Sequence, residues 1–272
     1  MNINQLHDIL YDILYAIDDA CKAENVSYFL DSGTMLGAVR HHGIIPWDDD
    51  IDIAVMDRDY DSLAKALIKH LPDYYKLVEP SDLSPHFFDF ITRVEDMRYT
   101  WHTPTDQDSF FDNKQNHICV DIMVYSSASN TKAGTKWYQF ICKTLYGFAM
   151  HYRYPGGDFS IQKHTMLQKM QITILKAIGA LIPIDKIYKI YRYHMLANNQ
   201  PKKFYTQSNY PLDLMNMVIH KDLLESFVRI PFGDRELPVL AGYDTFLTLR
   251  YGDYMTPVRD NTKYKTHMDY SE

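Results

Sequence analysis

Cysteine is scarce: three among 272 residues, and Cys21, Cys119 and Cys142 are too scattered for a disulfide framework or a zinc-ligand spacing. A reducing compartment, most simply the cytoplasm, is the expectation. No apolar run reaches the roughly 18 residues that a transmembrane helix needs. The first residues mix Asn, Gln, His and Asp with apolar side chains, which is not a signal-peptide pattern. Cations are outnumbered, with 28 Lys and Arg against 35 Asp and Glu for a formal net charge of −7. That balance argues against broad binding to nucleic acid and gives no general attraction to anionic lipid. Repeats, linkers and low-complexity stretches are also missing.

What remains is ordinary globular material, 46% hydrophobic and 23% charged. Its 22 tyrosines suit sugar or lipid-linked acceptors as well as plain packing. Ile3, Leu6, Ile9, Leu10, Ile13, Leu14, Ile17 and Cys21 recur at helical spacing. "VSYFL" reads as a strand and "DSGT" as a turn, in which Asp31, Ser32 or Thr34 could cap the helix "MLGAVRHH". "DIDIAV" is a second strand, "DRDYDSLAKALIKHL" a helix, and "YYKLVEP", "FFDFITRVED" and "HICVDIMVY" further strands. Residues 1–130 therefore form a mixed α/β core. Residues 132–197 turn helical, apolar and Met-rich, an insertion or subdomain, and 198–272 return to the core within one enzyme-sized unit.

The sharpest feature is "GIIPWDDDIDIAV", four aspartates within five positions at the mouth of a strand. Alternation along a strand predicts Asp48, Asp50 and Asp52 on one side, with Ile51, Ile53 and Val55 in the core and Asp49 pointing away. Two like charges about 4 Å apart repel by roughly 4 kcal/mol at an effective dielectric near 20. A divalent cation removes that repulsion, and hard oxygen ligands suit Mg²⁺ or Mn²⁺. The spacing mimics the start of an EF-hand, but Ile53 stands at the glycine position and Asp59 at the bidentate glutamate position. A calcium loop is excluded.

The block "SGTMLGAVRHHGIIPWDDDIDIAVMDRDY", residues 32–60, resembles the signature of the LicD family, which includes the fukutin-type transferases. "VDIMVY" and "YDTFLTLRYGDYMTP" extend the resemblance, although one proline, followed by Val258, stands where relatives commonly carry two. The resemblance implies an α/β nucleotidyltransferase-like mixed sheet with flanking helices. It also implies transfer of a phospho-alcohol, such as phosphocholine or ribitol phosphate, from a CDP-linked donor onto a glycan. Under it Gly33 and Thr34 match the phosphate-side helix start, where glycine lets backbone approach an anion. Asp50 and Asp52 match the paired metal carboxylates and Asp48 an additional acidic position. Arg40, His41 and Arg93 fall where relatives carry basic residues, as candidate substrate contacts.

A third carboxylate is expected from a neighbouring strand. Asp121, flanked by the core residues Val120 and Ile122, is the candidate, as metal ligand or as general base toward an acceptor hydroxyl. Trp47 and Pro46 shape the entry to the acidic strand. Asp253 is more simply a helix-ending turn than part of the site, and His70, His151 and His220 are read as ordinary surface or core residues.

The expected function is a Mg²⁺- or Mn²⁺-dependent phosphotransferase using CDP-choline or a related CDP-alcohol. Its acceptor would be a cell-surface glycan or a lipid-linked glycan precursor. The alternatives are a conventional nucleotidyltransferase that consumes a nucleoside triphosphate, and a metal- and nucleotide-binding partner protein without catalysis. The Met-rich helices serve either as cover for the active-site domain or as a peripheral contact with the inner membrane face.

Overall fold

A computed structural model describes residues 1–156, 165–196, 200–209 and 216–256. The Pro257–Val258 departure from the family pattern lies outside them. Helix α1 (Ile3–Glu24) begins in a capping box between Asn2 and Gln5 and ends on Asn25 in the left-handed conformation. Its apolar stripe, Leu6, Leu10, Ile13, Leu14 and Ile17, is fully buried. The short strand β1 (Phe29–Leu30) feeds α2 (Ser32–His41), and β2 (Asp52–Met56) feeds α3 (Tyr60–His70). The strands β3 (Tyr75–Val78), β4 (Thr92–Thr100) and β5 (His117–Ser129) follow, with the short α4 (Asp106–Phe110) before β5.

The sheet runs β1-β2-β5-β4-β3, with β2 and β5 parallel and the other pairs antiparallel. After β5 the described residues make the helices α5 (Lys132–Ala149), α6 (Met166–Gly179) and α7 (Ile184–Leu196). It then returns as β6 (Phe204–Gln207), which pairs with the second half of β5, and β7 (Ile219–His220) pairs with β6. One edge of β5 is thus shared, first by β4 and then by β6. In the gap between them, Asn209 accepts from the Val124 amide and donates to the Ile122 carbonyl, both at 2.8 Å. A hairpin, β8 (Phe227–Phe232) and β9 (Arg235–Leu240), and helix α8 (Tyr243–Tyr251) complete the described chain.

Three strand readings change. "VSYFL" supplies only Phe29–Leu30, "FFDFITRVED" becomes strand only from Thr92, and "DIDIAV" starts at Asp52 rather than Asp50. The Asp48 amide bonds back to the Ile45 carbonyl at 2.8 Å, closing a turn through Pro46 and Trp47. Residues 48–51 lie between that turn and the strand, and their burial still alternates, with Asp49 and Ile51 buried and Asp48 and Asp50 half-buried. Within β2 every residue is buried, because the strand is central and covered on both faces.

Candidate active site

Four structural elements meet at the head of β2. The Asp31 amide bonds to the Asp52 carbonyl at 3.0 Å, joining β1 to β2 just before α2 begins. The Thr34 hydroxyl accepts from the Asp52 amide at 2.8 Å, so the first turn of α2 holds the first residue of the strand. Gly33 lies against Asp48: a Cβ there would stand 3.0 Å from Asp48 Oδ2. Gly37, where a Cβ would come within 2.5 Å of the Gly43 carbonyl, lets the chain double back along α2 and deliver the aspartates to its N-terminus.

Carboxylate oxygens of Asp48, Asp49 and Asp50 converge within 4.8 Å of one another. Asp49, expected to point away, is more buried than Asp48 and Asp50 but brings a carboxylate oxygen within 4.8 Å of theirs. Asp52 and Asp121 stand beside it. They are register partners across the parallel β2–β5 pair, and Arg93 on β4 is the partner of Asp121 on the other side. Arg93, Asp121 and Asp52 thus form one row across three strands. Arg93 Nε reaches Asp121 Oδ1 at 3.0 Å, and its other nitrogens grip Asp89 at 2.6 and 3.0 Å. That arginine orients Asp121.

Burial, then the charge of Asp50, a hydrogen bond that protonated Asp48 donates to it and the charge of Asp49, push the Asp48 carboxyl up to about 8. Burial first, then Asp50, Asp121 and Asp31, also hold Asp52 well above the ordinary carboxylate range. A compact set of hard oxygens, with the Asp48 and Asp52 carboxyls both held above their ordinary range, fits a divalent cation.

The sign of the pH effect follows. Asp48 ionises near 3.8 when unfolded and near 8 when folded, so between these values the folded state binds more protons. Its contribution to metal-free stability is expected to fall as pH rises through that window, and Mg²⁺ should remove the decline. Denaturant titrations at about pH 5 and about pH 8, in chelator and in Mg²⁺, measure this. Equal chelator stability at both would contradict the proposed repulsion. Gly33→Ala gives a second expectation. Only the end of one side chain has to yield, so melting should change little while turnover falls about tenfold or more through displacement of Asp48.

A cleft of about 340 Å³ opens along the row, bordered by Asp50, Asp52, Asp121, Arg93, Trp101 and Arg153. Phe88 lies in the same cleft with the Arg93 and Arg153 guanidiniums 5.5 and 5.4 Å from its ring centre. Cys119 also borders it, but burial and the Asp121 charge hold its thiol protonated, which disqualifies it as a nucleophile. Arg40 and His41 sit at the far end of α2 from Gly33. Arg40 donates to the Tyr254 carbonyl at 3.0 Å, and His41 meets Trp47 edge to face with ring centres 6.0 Å apart. Neither residue lines the cleft.

Several neighbours were not expected at the site, Asp31 standing in the sequence only as a candidate cap of α2, a bond its side chain does not make. Asp31 is fully buried behind Asp52, accepts from Tyr125 at 3.0 Å and Gln207 at 3.0 Å, and faces Arg250 at 3.8 Å. Arg250 also donates to Ser32, pinning that residue in a left-handed conformation at φ +52°. Asp89 and Arg153 are cleft residues drawn from stretches read only as strand and helical cover. A hint was available for Asp89, four residues ahead of Arg93; none marks Arg153.

A mixed sheet whose parallel pair presents acidic side chains beside a Gly-Thr helix start is an architecture of the nucleotidyltransferase type. The chain belongs to the LicD/FKTN/FKRP family, whose nucleotidyltransferase domain matches residues 25–167. It is 24% identical over 261 residues to the lipopolysaccharide cholinephosphotransferase LicD of Haemophilus influenzae, covering 91% of this chain and 89% of that protein. A segment of 34 residues is 50% identical to the human ribitol 5-phosphate transferase FKRP, 12% of this chain and 7% of that one. An uncharacterized protein of Rickettsia prowazekii is 48% identical over 50 residues, 18% of this chain and 19% of its own length.

Proposed function

We propose that this protein is a metal-dependent transferase that moves a phospho-alcohol, phosphocholine in the simplest case, from a CDP-linked donor to a glycan or lipid-linked glycan precursor. The observation that carries the reading is the row Arg93, Asp121 and Asp52 with Asp50 at its end. It lines a cleft in a chain that aligns along 91% of its length with a cholinephosphotransferase.

Asp48, Asp50, Asp52 and Asp121, with Asp49 adjoining, are the proposed holders of Mg²⁺ or Mn²⁺. When bound, the cation neutralises charge on the transferred phosphoryl group. Arg93 and Arg153 offer fixed positive charge to the pyrophosphate side of the donor, with Arg93 held by Asp89 so that it keeps its place. The Trp101 ring in the cleft supplies cation-attracting surface for a choline ammonium, and Phe88, beside the two guanidiniums, supplies apolar surface for a cytosine base. Asp121 takes the proton of the acceptor hydroxyl as its oxygen attacks the phosphorus distal to cytidine. The bridging phosphorus–oxygen bond breaks and CMP departs with that oxygen.

A conventional nucleotidyltransferase is the second reading, favoured by the name of the matched domain. Attack would then fall on the nucleoside phosphate and release pyrophosphate. Product analysis separates the two: CMP supports the first, whereas pyrophosphate with a nucleotidylated product supports the second. CDP-choline, CDP-ethanolamine, CDP-glycerol and CDP-ribitol should be compared by thermal shift with and without Mg²⁺. The preferred donor, at about 100 times its Kd, is expected to stabilise by about 2.7 kcal/mol. A flat response to all four would overturn the CDP-alcohol reading.

A further inference from the structure

We infer that α6, with exposed aromatic residues of α5, is a docking face for a membrane surface rich in anionic lipid. Helix α6 is well started, by a capping box between Thr165 and Gln168, yet Gly179 is its one buried residue. Its inner side rests on α5. A Cβ on Gly179 would run into the Phe148 carbonyl, and one on Gly147 would come within 2.5 Å of Leu175. The outer side carries Met166, Leu167, Met170, Ile174 and Ile178, all exposed, with Met166 at 82%. At roughly 100° per residue these five fall within an arc of about 120°, a continuous apolar stripe facing outward. Leu181 follows at 83% exposure, and on α5 Trp137 and Phe140 stand exposed with their rings stacked 5.3 Å apart. Large apolar side chains so arranged on an anchored helix mark an interaction surface.

Charge selects the occupant. Residues 132–196 contain ten Lys and Arg against two Asp, in a chain whose formal net charge is −7. Helices α5 and α6 carry Lys132, Lys136, Lys143, Lys169 and Lys176 and no acidic residue. The overall acidity that argued against anionic lipid therefore conceals a cationic, apolar-faced helical layer. Lys169 and Lys176 flank the stripe beyond its Met166 edge, so an anionic bilayer would take up the stripe and meet the lysines at its rim, where a second copy of the same face would bring like charges near one another. Among the described residues no helix is long and apolar enough to cross a membrane, so α6 would lie along the interface. The inference is independent of the donor and the reaction proposed above.

Flotation of the full-length protein, without substrate, tests it with vesicles of phosphatidylcholine alone and of phosphatidylcholine with phosphatidylglycerol. Binding is expected to the anionic vesicles and to weaken with salt. Lys169→Gln and Lys176→Gln should each reduce partitioning about fivefold. Met170→Glu with Ile174→Glu should reduce it about a hundredfold while melting stays unchanged. If that pair misfolds, the two lysine variants, which leave the stripe intact, carry the test. Absence of binding to both vesicle types, or equal binding to both, would overturn the inference. Sedimentation in which the Met170→Glu, Ile174→Glu protein changed from dimer to monomer would overturn it as well, by making the stripe a contact between copies.

Discussion

Asp50→Asn and Asp52→Asn are each expected to lose at least about 10³ in turnover while leaving a folded protein. Asp50 belongs both to the convergent Asp48–Asp50 group and to the cleft, and Asp52 heads β2 within the same cleft. The wild-type chain must hold these acids against one another or keep them protonated. Asparagine has nearly the same shape as a protonated aspartate, so neither substitution opens a cavity. For Asp52, pressed upward by burial and by Asp50, Asp121 and Asp31, metal-free stability should rise rather than fall. The same variant should gain less stability from added Mg²⁺ than the wild type. Turnover near normal in saturating Mg²⁺ for either variant would show that the carboxylate is not part of the metal chemistry.

Much of this site was readable because it is local. The helix start at Gly33 and the aspartates from Asp48 to Asp52 lie within 20 residues, and their order along the chain is nearly their order in space. Asp121 was recoverable too, since alternation in β5 puts Val120 and Ile122 in the core at 0% and 1% exposure and turns Asp121 toward the cleft. Asp49 was missed because alternation assigns side chains to faces and is silent on how near successive carboxylate oxygens come between the turn at Asp48 and the start of β2. Chain-distant pairings were out of reach. Nothing local says that Arg250 closes on Asp31, 219 positions away, or that Asn209 fills the gap in the β5 edge. Those partnerships depend on how α8 and β6 return to the sheet, and periodicity is silent about return paths. The helices α5–α7 were visible as helices, but which of their faces would stay open required the packing of α6 on α5.

Asp121→Asn is the substitution with the most to say about mechanism. Asp121 stands between Arg93 at 3.0 Å and its register partner Asp52, so it links the cationic side of the cleft to the acidic one. Loss of general-base assistance alone is worth about 10² to 10⁴ in rate, and loss of a metal ligand adds weaker cation binding. Excess Mg²⁺ should therefore partly rescue the variant if Asp121 is a ligand and leave it unrescued if Asp121 acts only as a base. Stability is the internal control. The substitution deprives Arg93 of one ionic partner but leaves Asp89, gripped at 2.6 and 3.0 Å, and it removes a negative charge that presses on Asp52. These effects oppose each other at a site on the cleft side of the strand, so the melting temperature should move little. Arg93→Lys offers the complementary measurement. It keeps the charge but loses the fork that grips Asp89 while reaching Asp121, so it should lower turnover about tenfold or more if Asp121 must be held in place. Normal turnover in Asp121→Asn would reduce Asp121 to a partner of Arg93 and leave the row without its reactive member.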